Sequence, residues 1–105
     1  MKTILIVEDD PVIREELALL LANEGCRAEA VTDFTGVAGQ VLELEPDLVL
    51  LDLGLPGRDG LAICADIRRS SAIPIIVVTS RATQLDELMS MNLGADDFLT
   101  KPYNT

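Results

Sequence analysis

The sequence predicts an α/β fold: a parallel sheet of five strands covered by helices. Three observations lead there. Short apolar runs alternate with helix-length amphipathic segments from one end of the chain to the other. The apolar runs are continuous, as in strands buried on both faces. Glycines, prolines and acids fall at the junctions, where one element must stop and the next begin. At 105 residues the chain is read as one domain, 1–105, with no linker, repeat or low-complexity tract.

Residues 4–7 form the first apolar run, and Glu8, Asp9 and Asp10 end it. Asp10 suits a helix N-cap and Pro11 the first turn after it. Ile13, Leu17, Leu20 and Leu21 then recur at helical spacing until Gly25, which can terminate the helix. Residues 27–31 read as a weaker second strand. Asp33 is expected to start the second helix, with Val37, Val41 and Leu44 inward, although Gly36 and Gly39 weaken it. Pro46 and Asp47 close it.

Residues 48–53 read as the third strand, carrying Asp52. Residues 54–60, with three glycines and a proline, read as a loop with a Pro56-Gly57 turn. A third helix is expected over 61–69 and a fourth strand over 73–78, with Pro74 tolerated near its start. Residues 82–93 suit a fourth helix whose apolar stripe is Leu85, Leu88, Met89 and Leu93, ended by Gly94. Residues 97–100 make a short fifth strand before Lys101 and Pro102.

Composition narrows the function. About half of the residues are apolar but only 3% are aromatic, so the core is aliphatic. Eighteen acids against eight bases give a net charge of −10. Such a surface repels nucleic acid and attracts divalent cations where carboxylates converge. The two cysteines, Cys26 and Cys64, are far apart and histidine is absent, which argues against zinc or a disulfide framework and for reduced thiols in a cytoplasmic protein. The four apolar residues before Glu8 are too few for a signal peptide, and no stretch approaches a membrane span.

In parallel α/β sheets the chemistry sits beyond the C-terminal ends of the strands. There this chain offers Glu8, Asp9 and Asp10 after strand one, Asp52 on strand three, Thr79 and Ser80 after strand four and Lys101 after strand five. If strands one and three are neighbours, carboxylates meet. Two at about 4 Å repel by ~4 kcal/mol at an effective dielectric near 20, which calls for a cation or a lysine. An oxygen-only donor set suits Mg²⁺. A carboxylate beside Mg²⁺ and an ammonium can attack phosphorus and form an acyl phosphate, with a hydroxyl bonding a phosphoryl oxygen. Asp52, at the end of the most apolar strand, is the best nucleophile, flanked by Thr79 and Lys101. Asp10 reads as a cap, Ser80 as a substitute for Thr79 or a cap, and Cys64 and Met89 as helix packing residues.

Four runs make a resemblance specific: Ile-Leu-Ile-Val-Glu-Asp-Asp (4–10), Asp-Leu-Val-Leu-Leu-Asp-Leu-Gly-Leu-Pro-Gly-Arg-Asp-Gly (47–60), Pro-Ile-Ile-Val-Val-Thr-Ser-Arg (74–81) and Gly-Ala-Asp-Asp-Phe-Leu-Thr-Lys-Pro-Tyr (94–103). In order and spacing, across the whole chain, they resemble the receiver domains of two-component response regulators, most closely those that precede a winged-helix DNA-binding domain. The resemblance implies a flavodoxin-like, doubly wound sheet with strand order 2-1-3-4-5. It implies that Asp52 accepts the phosphoryl group and that Glu8, Asp9, Asp52 and the Gly54 backbone carbonyl hold Mg²⁺. Thr79 becomes the hydroxyl that turns toward the phosphoryl group, Phe98 the aromatic switch, and Lys101 the charge partner, joined to Pro102 by a cis bond.

The implied partners are a sensor histidine kinase, a second copy of the chain, and DNA only through a separate C-terminal domain. The module is a phosphoacceptor rather than an enzyme in the ordinary sense. The family carries a fifth helix after strand five, whereas this chain stops at Thr105, so a receiver without its last helix is expected, one that dimerises or is poorly stable. Other readings fit less well. A haloacid-dehalogenase-type phosphohydrolase needs an acid two residues after Asp52, where Gly54 stands. A flavodoxin-like FMN carrier needs a Ser/Thr-rich loop after strand one, where this chain has acids. A pseudo-receiver serving only protein contacts has no need of the acidic set and the lysine.

Overall fold

The computed structural model describes residues 1–31, 33–55, 59–80 and 83–100; the Pro56-Gly57 turn, Arg81, Lys101 and Pro102 lie outside the described residues. The elements follow in the order β1 (Thr3–Val7), α1 (Pro11–Asn23), β2 (Arg27–Ala30), α2 (Val37–Leu44), β3 (Leu48–Leu51), α3 (Gly60–Ser70), β4 (Ile75–Thr79), α4 (Gln84–Asn92) and β5 (Asp97–Thr100). The five strands form one parallel sheet in the order β2-β1-β3-β4-β5. The α/β expectation and the 2-1-3-4-5 order are thereby met, with four helices among the described residues.

Side chains alternate across the strands and build a core on each face. Leu5, Val7, Val49, Leu51, Ile75 and Val77 join Val37 and Val41 of α2 and Leu61, Ile63, Cys64 and Ile67 of α3 in the larger core. Ile4, Ile6, Leu50 and Val78 face Leu17 of α1 in the smaller one. Burial pushes the Cys64 thiol above its usual pKa, only partly countered by the charge of Arg68. No helix among the described residues is long and apolar enough to cross a membrane.

Several boundaries differ from the sequence reading. Asp33 does not start α2. It holds a turn instead, its carboxylate accepting from the Thr35 hydroxyl at 2.6 Å and the Thr35 amide at 3.0 Å. Those two bonds, the hydroxyl's first, hold the Asp33 carboxyl below the usual carboxylate range. The helix begins four residues later, with Gly36 as its N-cap. An Asx turn competes with helix for the same backbone N–H groups, and the glycines weaken the helical side of that competition. β3 ends at Leu51, so Asp52 follows the strand, and β4 runs two residues later than expected at its start and ends on Thr79.

The largest correction concerns α4. Leu85 and Leu88 are 64% and 59% exposed, and Met89 is exposed as well. The buried positions of the helix are Asp86 and Ser90. Of the expected stripe, only Leu93, just past the helix, packs against the larger core. The orientation follows from local bonding. The Thr83 hydroxyl accepts from the Asp86 amide at 3.1 Å and donates to the Asp86 carboxylate at 2.9 Å, which is a reciprocal N-terminal cap. The Ser90 hydroxyl donates to the Asp86 carbonyl at 2.8 Å. Thus polar groups on the inward face are bonded within the helix and its cap.

Candidate functional site

The site is built where β1 and β3 run side by side. Val7 pairs with Leu51, and the Asp52 amide donates to the Val7 carbonyl at 3.0 Å, carrying the pairing one residue past the strand. Glu8 and Asp52 therefore emerge next to each other. Carboxylate oxygens of Glu8, Asp9 and Asp52 all lie within 4.8 Å of one another. Glu8 is 3% and Asp52 8% exposed, whereas Asp9 faces solvent.

The neighbouring acid, Asp10, is used otherwise. Its carboxylate caps α1, accepting from the Val12 amide at 2.9 Å and the Ile13 amide at 3.4 Å, with Pro11 opening the helix. The Asp10 amide donates to Glu8 Oε2 at 3.2 Å, and Arg14, one turn along, donates from Nη1 to the Glu8 carbonyl at 3.4 Å. Across the site, the Gly54 amide donates to Asp52 Oδ1 at 3.1 Å. A carboxylate so bonded is fixed in direction.

Thr79 ends β4, fully buried, on the far side of β3 from β1. Phe98 lies on β5 beside Val77 of β4 and packs half-buried against the larger core. Lys101 lies outside the described residues. The sequence reading missed two participants. Arg14 brings a cation to the backbone of Glu8, and its spacing of six residues from Glu8 is the available signal. Gly60 lies against the Asp52 backbone, whereas in the sequence it reads only as the end of a loop.

Three carboxylates this close repel by roughly 3–4 kcal/mol per pair at an effective dielectric near 20. The donors are all hard oxygens and few in number, which fits Mg²⁺ with several waters retained. The zinc and soft-metal alternatives find no thiolate or imidazole there, since the sequence has no histidine and Cys26 and Cys64 lie outside the cluster.

A family model, the response regulator receiver domain, matches residues 4–105. The chain belongs to the response regulator receiver family. This receiver is thus a module of two-component signalling, as the sequence resemblance implies. It is 42% identical over 104 residues to the sensory transduction protein RegX3 of Mycobacterium bovis, covering 99% of this chain and 46% of that protein. Its identity to RegX3 of Mycolicibacterium smegmatis is 41%, with the same coverage. The receiver spans about half the length of these curated relatives.

Solved structures agree. The BeF3-activated N-terminal receiver domain of Klebsiella pneumoniae RstA superposes with a TM-score of 0.92 at 31% identity, covering 98% of this chain and 88% of that one. A two-component response regulator from Clostridium difficile gives 0.93 at 28% identity, covering 99% and 86%.

Proposed function

We propose that this receiver takes a phosphoryl group from a sensor histidine kinase onto Asp52, and that the acyl phosphate switches its contacts with partners. The observation that carries the proposal is the convergence of Glu8, Asp9 and Asp52 at the ends of β1 and β3, with the buried Thr79 hydroxyl one strand away. Glu8, Asp9, Asp52 and the Gly54 carbonyl would hold Mg²⁺. Bound there, Mg²⁺ supplies positive charge against the carboxylates and the transferring group.

The remaining steps belong to the chain's own residues. An Asp52 carboxylate oxygen forms the new O–P bond while the P–N bond to the donor imidazole breaks, and the leaving imidazole takes up a proton. The Gly54 amide keeps the attacking carboxylate in one orientation. Thr79 donates its hydroxyl hydrogen to a phosphoryl oxygen, and Lys101 adds a positive charge to the same group. Movement of Thr79 draws Phe98 inward, since Phe98 is only half-buried at rest.

Output follows through a second copy and through a DNA-binding domain outside these residues, in the cytoplasm. The exposed Leu85, Leu88, Met89 and Met91 on α4 support pairing between copies. The length of the RegX3 relatives supports a further domain. The competing reading, a pseudo-receiver used only for contacts, is disfavoured by the clustered acids.

The test is intact-mass analysis after incubation with acetyl phosphate, with and without Mg²⁺, on this chain and on Asp52→Asn. A single phosphoryl adduct that needs both Mg²⁺ and Asp52 is expected. No adduct on folded protein would leave the pseudo-receiver reading, and an adduct on Asp52→Asn would move the acceptor elsewhere.

A further inference from the structure

The turn that carries Asp52 is pressed from one side by the first residue of α3. Gly60 donates its amide to the Leu53 carbonyl at 3.0 Å, tying the start of α3 to the residue after Asp52. Its Cα lies so close to that turn that an added Cβ would stand 2.5 Å from the Asp52 carbonyl oxygen, 2.5 Å from Leu53 Cα and 3.1 Å from the Asp52 carbonyl carbon. All three are backbone atoms, so no side-chain rotation relieves the overlap. Gly39, inside α2, has nothing within 4 Å of the same construction, and Gly54 meets only Asp52 Oδ1 at 3.9 Å.

The contact is not explained by helix formation. Asp59 already caps α3, its carboxylate accepting from the Leu61 amide at 2.9 Å, and a side chain at the first helical position is ordinarily welcome. What needs the bare Cα is the approach of α3 to the Asp52–Leu53 peptide. The positions of both the Asp52 carboxylate and the Gly54 backbone hang from that peptide, and Gly54 is tied to Asp52 Oδ1 at 3.1 Å.

We infer that Gly60 is a positioning residue for the reaction: it seats α3 against the Asp52 peptide and thereby sets the Asp52 carboxylate and Gly54 carbonyl relative to Glu8 and Asp9. This rests on the phosphoacceptor reading above. A methyl group at Gly60 displaces the Asp52 turn by the better part of an ångström, and misplacement on that scale costs on the order of a hundredfold in rate where a nucleophile must be aligned.

The experiment compares wild type, Gly60→Ala, Asp52→Asn and Gly39→Ala in three readouts. These are the folded fraction by circular dichroism, the Mg²⁺ concentration for half-saturation by amide chemical shift, and the rate of phosphorylation by acetyl phosphate. In folded Gly60→Ala the expected result is a half-saturating Mg²⁺ concentration at least tenfold higher and a maximal rate at least tenfold lower. The amide shifts that change most on substitution should be those of residues 52–54. Gly39→Ala should match wild type in both functional readouts. Because alanine favours the helix over glycine and its Cβ meets nothing there, Gly60→Ala is repeated in that background so that the folded fraction is high enough to measure.

A purely structural glycine lowers the folded fraction but leaves Mg²⁺ half-saturation and rate per folded molecule unchanged. Values within twofold of wild type therefore overturn the inference. Unphosphorylated wild type, with Mg²⁺ binding intact, overturns the phosphoacceptor reading instead; the Mg²⁺ shift in Gly60→Ala then still decides whether Gly60 sets the carboxylates.

Discussion

Helices α3 and α4 are similar in length and follow adjacent strands, yet they are built in opposite ways. α3 buries Leu61, Ile63, Cys64 and Ile67 against the sheet. α4 turns Asp86 and Ser90 inward and leaves Leu85, Leu88 and Met89 in solvent. The first helix is held by area removed from water. The second is held by its cap, by hydrogen bonds on a small inward face, and by the Leu93 and Ala95 contacts just beyond it. One consequence is a gradient of stability: the helix that seats the Asp52 turn is anchored, while its neighbour has little apolar area to lose on moving.

The sharpest way to break the contrast is at Ile67, which is fully buried in α3. Ile67→Ala should cost about 2–5 kcal/mol, through lost transfer energy and the cavity left behind. Urea denaturation followed by circular dichroism measures it. A loss below about 1 kcal/mol would mean that the α3 interface collapses readily and that the two helices differ less than their burial suggests.

A smaller effect is expected at the joint between the helices. Arg68 leaves the last turns of α3 and donates to the Gly94 carbonyl from Nη2 at 2.6 Å and Nε at 3.1 Å, and from Nη1 to the Ile73 and Ser71 carbonyls at 2.8 and 3.1 Å. It also faces Asp96 at 3.3 Å, whose carboxylate accepts from the Ile75 amide at 2.8 Å. One guanidinium thus ties the end of α3, the entrance of β4 and the α4–β5 turn. Gly94, at φ +109°, leaves room for it: a Cβ there would stand 2.6 Å from Arg68 Nε. Arg68→Leu should cost about 1–3 kcal/mol through the carbonyls it strips. Arg68→Lys should recover only part, because an ammonium does not reproduce the planar fork. Full recovery with lysine in the same denaturation assay would show that charge, not geometry, is what counts.

These two helices also mark what was legible in the sequence. The strands, the acids at their ends and the Asp10 cap follow from patterns one residue type wide: continuous apolar runs, acids after them, Asp before Pro. The strand order that brings those acids together follows only from the family resemblance. α3 has one apolar face, so periodicity orients it. α4 has two competing faces, and periodicity selects the more apolar one. The deciding feature is a bond between Thr83 and Asp86 and the small size of Ser90, neither of which registers as hydrophobicity. Asp33 misleads for a related reason: it is a good N-cap type, but its own turn with Thr35 wins. Arg68 and Gly60 act through contacts spanning many residues, or through the absence of an atom, and no local pattern announces either.

The smallest effect belongs to Leu88, and it tests the orientation of α4 directly. At 59% exposure, Leu88 removes little apolar area from water. Leu88→Ser should change stability by no more than about 0.5 kcal/mol, the range of surface substitutions, with serine's slightly weaker helix propensity included. An inward Leu88 would cost several times more, as a core leucine does. The same denaturation curves used for Ile67→Ala discriminate the two, provided the protein is dilute enough to be monomeric. A stability loss that appears only at high concentration would instead place Leu88 in a contact between copies, because burial in a dimer stabilises by mass action and vanishes on dilution.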